Sequence, residues 1–325
     1  MEIGLFTDGL MHLPFAAALE AASRLGVQVV EIGTGNFSPA AHCDLDRLLN
    51  DARARFEFLE TIRRYGLRLV ALNCSGNPLH PNQSISKSAA EITRKTLCLA
   101  GMLGVERVVC MSGCPGTPGS TMYPNWVVAS WPEDFMELLE WQWNEQLLPF
   151  WSQMVELART NGVHQLCFEL HPANCVYNPS SFQRLRGALG KMIAANLDPS
   201  HFFFQGMDPL AVIRSLGDAI GFVHAKDARV EPYNLAVQGS LDLQPGKPVR
   251  DLVWAYRTLG YGHDARFWAD FVSALRSIGY DGVLSIEHED PLMDSEEAVG
   301  RAVALLKSTA FFRPPSLLPG APPAS

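Results

Sequence analysis

The chain has 325 residues, 47% of them apolar and 18% charged, with a net charge of −8. That is enough apolar material for one large α/β domain, and the acidic balance argues against a nucleic acid partner, whose phosphates need a basic surface. No run reaches the ~18–20 apolar residues of a membrane span, no secretory signal opens the chain, and the seven scattered cysteines read as reduced thiols, so the expectation is a cytoplasmic protein with no membrane partner.

Apolar runs alternate with amphipathic stretches along the whole chain. The run 3–6 is followed by the stretch 14–25, and 27–32 by 45–65. Then come 67–73 and 89–103, 107–111 and 132–161, 165–169 and 179–189. The last units are 193–198 and 209–217, 220–224 and 265–278, 282–287 and 295–307. Eight strands alternating with eight helices predict a parallel sheet with crossover helices. Eight units predict that it closes as a single α/β, (β/α)8 barrel over 1–312. An open doubly wound sheet is the alternative, but no GxGxxG follows the first strand. Gly26, Gly66, Gly104 and Gly162 fall where helices should end. Ser180-Ser181 and Asp294-Ser295 are predicted to cap helix starts.

Three connections after strands are long: 73–87, 112–131 and 225–264. In a barrel all three rise at the catalytic face, where their aromatic and basic residues would form a lid over a polar substrate. The tail 313–325 is Pro-rich and uncharged after Arg313, and is expected to be disordered.

Four predicted strands end in a side chain that a buried strand has no use for. Residues 165–168 run into Glu169, 193–197 into Asp198, 221–223 into His224, and 282–286 into Glu287. An unpaired buried charge is costly, and clustered carboxylates repel unless a cation lies among them. Side chains at the C-terminal ends of barrel strands converge. Glu169, Asp198, His224 and Glu287 are therefore expected to bind one divalent metal. This oxygen-rich set suits Mn2+ first, with Mg2+, Co2+, Fe2+ or Zn2+ as alternatives. The other reading of each residue is a satisfied polar group at a strand end. His201, Lys226 and Arg229 lie close by in sequence, and His171 has the strand parity to share a face with Glu169. With Asn73 and His80 of the first long loop they are the candidate substrate-binding residues. His288 has the opposite parity to Glu287 and is read as structural.

The ordered set Glu169, Asp198-x-x-His201, His224-x-Lys226-Asp227 and Glu287 resembles the xylose isomerase-like TIM barrel superfamily. Within it the chain resembles the sugar phosphate isomerase/epimerase group, which also holds keto-sugar 3-epimerases and barrel subunits of C-glycoside deglycosidases. The resemblance includes Tyr261-Gly262-His263-Asp264 and Ser285-Ile286-Glu287-His288-Glu289-Asp290. The superfamily's three-zinc endonucleases need further histidines after strands 3, 4 and 7. This chain has Asn73-Cys74, Cys110-Met111-Ser112 and Lys226-Asp227 there.

The resemblance implies an enzyme that abstracts a proton next to a carbonyl of a keto-sugar, through a metal-stabilised ene-diolate. Glu169 and Glu287 would both bind the metal and exchange the proton. A lyase acting on a 3-keto-glycoside would share that first step and then expel the C1 substituent. A non-catalytic sugar-binding or partner subunit is the third reading. No Gly-rich loop offers a phosphate cradle, which favours a neutral keto-sugar or glycoside. Homo- or hetero-oligomers are both compatible with the group.

Overall fold

Strands buried along their whole length need apolar side chains on both faces, and this accounts for the unbroken apolar runs. In the computed structural model, which describes residues 1–242 and 245–314, the strands are β1 (Glu2–Phe6), β2 (Val29–Gly33), β3 (Arg68–Asn73), β4 (Arg107–Cys110) and β5 (Gln165–Glu169). They continue with β6 (Ile193–Leu197), β7 (Ile220–Ala225), β8 (Asp227–Val230), β9 (Trp254–Arg257) and β10 (Val283–Ile286). Eight of them form a closed barrel in the order β1-β10-β7-β6-β5-β4-β3-β2, and β8 and β9 form a separate two-stranded sheet. Parallel pairing sets Leu5 beside Ile286, Ser285 beside His224, and Glu169 beside Asn196.

By internal packing the chain divides into two units. The first comprises Met1–Val30, Tyr65–Arg68 and the chain from Leu197 onward. Its helix Ala265–Ser277 packs on Pro209–Leu216 and on Ser295–Thr309, which also meets Phe15–Leu25. Trp268, Phe271 and Phe222 are fully buried there. Asp294 accepts from the backbone N–H of Glu296 and Glu297, capping the last helix as expected.

The second unit comprises Glu31–Arg64 and Leu69–Asn196. Helix Gln83–Leu103 packs on Leu148–Thr160, which packs in turn on Pro179–Leu189. Trp151 stands edge-on to Phe168, with ring centres 4.5 Å apart, and donates its indole N–H to the Ser112 carbonyl.

Several boundaries differ from expectation for local reasons. The stretch 45–65 is two helices, Leu45–Asn50 and Ala52–Arg64. Asp51 adopts an extended backbone between them and caps the second by accepting from Arg53 and Ala54 N–H. Helix Gln83–Leu103 starts six residues before the expected 89, because Asn82 caps it through Ser84 N–H. The cap of Pro179–Leu189 is Asn178, in a capping box with Ser181, and not Ser180-Ser181. The stretch 132–161 is helical from Asp134, with a π-turn at Gln142–Leu147. Buried Gln142 there donates to the carbonyls of Gly116 and Asn125, tying down the loop 112–131.

The loop 225–264 is not structureless. It holds β8, helix Pro232–Gln238 and β9, with Ala228 opposite Tyr256 and Val230 opposite Trp254. The expected disorder of the tail concerns residues that, from 315 on, lie outside the described residues. Among the described residues no helix is long and apolar enough to cross a membrane.

Candidate metal centre

β6 ends at Leu197, and the next residue, Asp198, turns the chain. Its Oδ1 accepts the Ser200 N–H, which starts the short helix Ser200–Phe203. That helix brings His201 back, placing Nε2 3.2 Å from Asp198 Oδ2. Both side chains are wholly buried. On β7 the alternation of the strand puts His224 beside the Phe6 and Phe222 rings, 6.1 and 6.0 Å away between centres. Glu287 follows β10, and its N–H donates to the Ala225 carbonyl. Its Oε2 lies 3.0 Å from His224 Nδ1.

Lys226 stands two residues after His224 and is almost as deeply buried. Its Nζ is 3.3 Å from Glu287 Oε2 and 3.9 Å from Asp198 Oδ2, and it also pairs with Glu289. Burial alone would push the Glu287 carboxyl up, but the charges of Lys226 and then His224 hold it far below the usual carboxylate range. Asp198 follows the same logic: burial raises it, and His201 and Lys226 outweigh burial to bring it down. For Lys226, burial opposes the charge, and the carboxylates of Glu287, Glu289 and Asp198 together push its pKa well up. The carboxylates are thus held ionised.

The chemistry of these donors fits a divalent cation. Asp198 Oδ2 and Glu287 Oε2 are buried and accept no aligned hydrogen bond among the described residues. A hard cation is what two such oxygens with an imidazole would hold. One ligand atom from each of Asp198, His224 and Glu287 lies within 4.8 Å of the others.

Glu169 ends β5 and is buried, with Oε2 accepting from Asn196 Nδ2 at 3.3 Å. The His171 N–H donates to the Glu169 carbonyl. Asn73 is buried, donates to Glu31 Oε1 at 2.8 Å and accepts from Ser75 N–H. His80 accepts the Asn82 N–H through Nδ1. Arg229 is half-exposed on β8 and donates to Glu231. His288 is partly buried, and burial lowers its pKa.

Three residues here went unnoticed in the sequence. Tyr256 on β9 touches both His201 and Lys226. The signal was the alternation Trp254-Ala255-Tyr256-Arg257 inside a stretch read as loop. Glu31 sits within an apolar run and not at its tip, and Asn196 is one residue inside the tip of β6.

A family model described as xylose isomerase-like TIM barrel matches residues 19–309. The uncharacterized protein YfiH of Bacillus subtilis (strain 168) is 40% identical over 311 residues, spanning 95% of this chain and 99% of its own. Among solved structures, a xylose isomerase domain protein from Planctomyces limnophilus superposes with a TM-score of 0.64 at 16% identity, covering 95% of this chain and 96% of its own. A D-tagatose 3-epimerase-like protein gives 0.62 at 18% identity, covering 95% and 98%. At such identities the two structures share the fold.

Proposed function

The chain belongs to the xylose isomerase-like TIM barrel family, and from that premise we propose that it is a divalent-metal-dependent isomerase or epimerase of a small keto-sugar. The observation that carries this reading is the buried pair of oxygens, Asp198 Oδ2 and Glu287 Oε2, beside the imidazole of His224. Asp198, His224, Glu287 and Glu169 are the ligands we assign, and Mn2+ is the ion we place first. Bound there, the ion would supply Lewis-acid polarisation of a carbonyl.

The chain's own groups provide the rest. Inverting a carbon next to a carbonyl takes the proton from one face and returns one to the other, which is work for two groups. We assign these tasks to the carboxylates of Glu169 and Glu287. Glu287 is kept ionised by Lys226 and His224. Lys226, a buried ammonium with three donors, is assigned to steady the negative charge that develops on the substrate oxygen. His171, whose ring belongs to the same cluster as Glu169, is assigned to a substrate hydroxyl. Arg229, Asn73 and His80 have the partners described above and are given no step.

The test is proton exchange. Purified protein with Mn2+ is incubated in deuterated water with a panel of ketoses and 3-keto-glycosides. Deuterium uptake next to the carbonyl, with an epimer or isomer as product, supports the reading. Release of an aglycone with an unsaturated sugar assigns the protein to elimination instead. Sugar binding without exchange leaves the non-catalytic subunit.

A further inference from the structure

Tyr256 reaches two cation-forming side chains of the centre at once. Its hydroxyl oxygen lies 3.2 Å from His201 Nδ1. Lys226 Nζ stands 4.1 Å from the centre of its ring, a cation–π distance. Two residues earlier, on the same face of β9, Trp254 stacks flat on Phe204, with centres 3.9 Å apart and planes 9° apart. Phe204 follows directly after the helix that carries His201. The hairpin therefore grips this short helix at two points, once by a ring and once by a hydroxyl.

The hydrogen-bond chemistry of the three groups gives the grip a direction. A neutral imidazole has one N–H and one bare nitrogen, and a carboxylate can only accept. A phenol keeps its proton at neutral pH. With Tyr256 on Nδ1 and Asp198 facing Nε2, one tautomer of a neutral His201 suits all three: the hydroxyl donates to Nδ1, and Nε2 carries the proton on the side of Asp198. That contact, 3.2 Å long, is not an aligned hydrogen bond, so the carboxylate is steered while its lone pair stays available.

We propose that Tyr256 is a positioning residue of the metal centre: by holding Nδ1 of His201 it fixes the imidazole tautomer and ring angle that orient Asp198. The proposal rests on the reading of Asp198 as a metal ligand. Groups behind a metal's ligands commonly change its affinity by about 10- to 100-fold when removed.

Tyr256→Phe tests it, since the ring stays under Lys226 and only the hydroxyl goes. Two readouts are independent of turnover. One is Mn2+ affinity by calorimetric titration. The other is the 15N shifts of the imidazole nitrogens in histidine-labelled, metal-free protein, with those of His201 identified by their loss in His201→Gln. The expected results are a bare Nδ1 and protonated Nε2 in the wild type, with a mixed pattern and about tenfold weaker Mn2+ binding in Tyr256→Phe. An unchanged nitrogen pattern, or a wild-type His201 protonated on Nδ1, overturns the proposal. So does Mn2+ affinity within about twofold of wild type, well short of the usual effect. If wild type binds no Mn2+, the metal reading fails and the nitrogen pattern alone decides on Tyr256. If Tyr256→Phe does not fold, the wild-type pattern decides.

Discussion

Asp227 Oδ1 and His263 Nδ1 lie 2.8 Å apart, and the same buried carboxylate collects the chain around them. It accepts from the backbone N–H groups of Gly260, Gly262 and His263 and from the indole of Trp268. One side chain thus closes the loop that leads back from β9 to the helix Ala265–Ser277. Asp227→Ala would leave the buried Trp268 indole and three part-buried backbone N–H groups without this acceptor, and a buried donor left so costs about 1–3 kcal/mol. The expected loss is about 3 kcal/mol or more in urea unfolding. A loss below about 1 kcal/mol, less than one such donor, would refute this role.

Metal binding to the folded chain alone should stabilise it. At a free Mn2+ concentration of about 100 Kd the gain is about 2.7 kcal/mol. Chelation should reverse it, and Asp198→Ala should abolish the increment. The measurement is the shift of the unfolding midpoint with and without Mn2+ in both proteins.

The proposed proton carriers make a separable prediction. Glu169→Gln and Glu287→Gln should each lower the rate of carbon-bound proton exchange by about 100-fold or more. Near wild-type exchange in both would sink the assignment of the two carboxylates, whatever the metal does.

Asp290 gives a pH dependence with a definite sign. It is buried, and burial pushes its carboxyl up. The N–H groups of Thr258 and Leu292 and the Arg257 guanidinium outweigh that and hold it below its ordinary value of 3.8. A carboxylate depressed in the folded state contributes stability above its unfolded pKa, and loses it as pH falls through the lower folded value. Wild type should therefore lose more stability than Asp290→Asn as pH drops below about 4. Urea midpoints at neutral and acidic pH read the difference. Parallel curves for the two proteins would contradict it.

The barrel was legible because its signals are local. The runs that became β5 and the helix Pro179–Leu189 agree with expectation to the residue, since each is bounded by a sharp change from apolar to polar or by a proline. A carboxylate directly after an apolar run, as at Asp198 or Glu287, is equally local, so such residues of the candidate centre stand out in the sequence. Tyr256 could not. Its strand pairs Ala228 with a partner distant in sequence, and four-residue strands half-exposed on both sides carry too little periodicity to stand out. Glu31 was hidden for another reason: a charge inside a buried strand is satisfied by a neighbour such as Asn73, and the pairing is a fact of strand order alone. Asp51 and Asn178 cap helices because an Asx side chain accepts from N–H groups two or three residues ahead, a choice that Ser180 and Ser181 made ambiguous at Asn178.

The hairpin also closes the chain on itself before its long excursion begins. Asp227 faces Arg257 and Val230 faces Trp254, and the Glu231 N–H donates to the Val253 carbonyl. The described residues between those last two, including the exposed Tyr233 and Val237, hang from this closed base like a loop on a stem. Its length is therefore a free variable. Doubling it would add only about 0.6 kcal/mol of closure entropy, and Tyr256 would keep its place beside Lys226. Insertions or grafts between 231 and 253 should then leave the pairing of β8 with β9 in place.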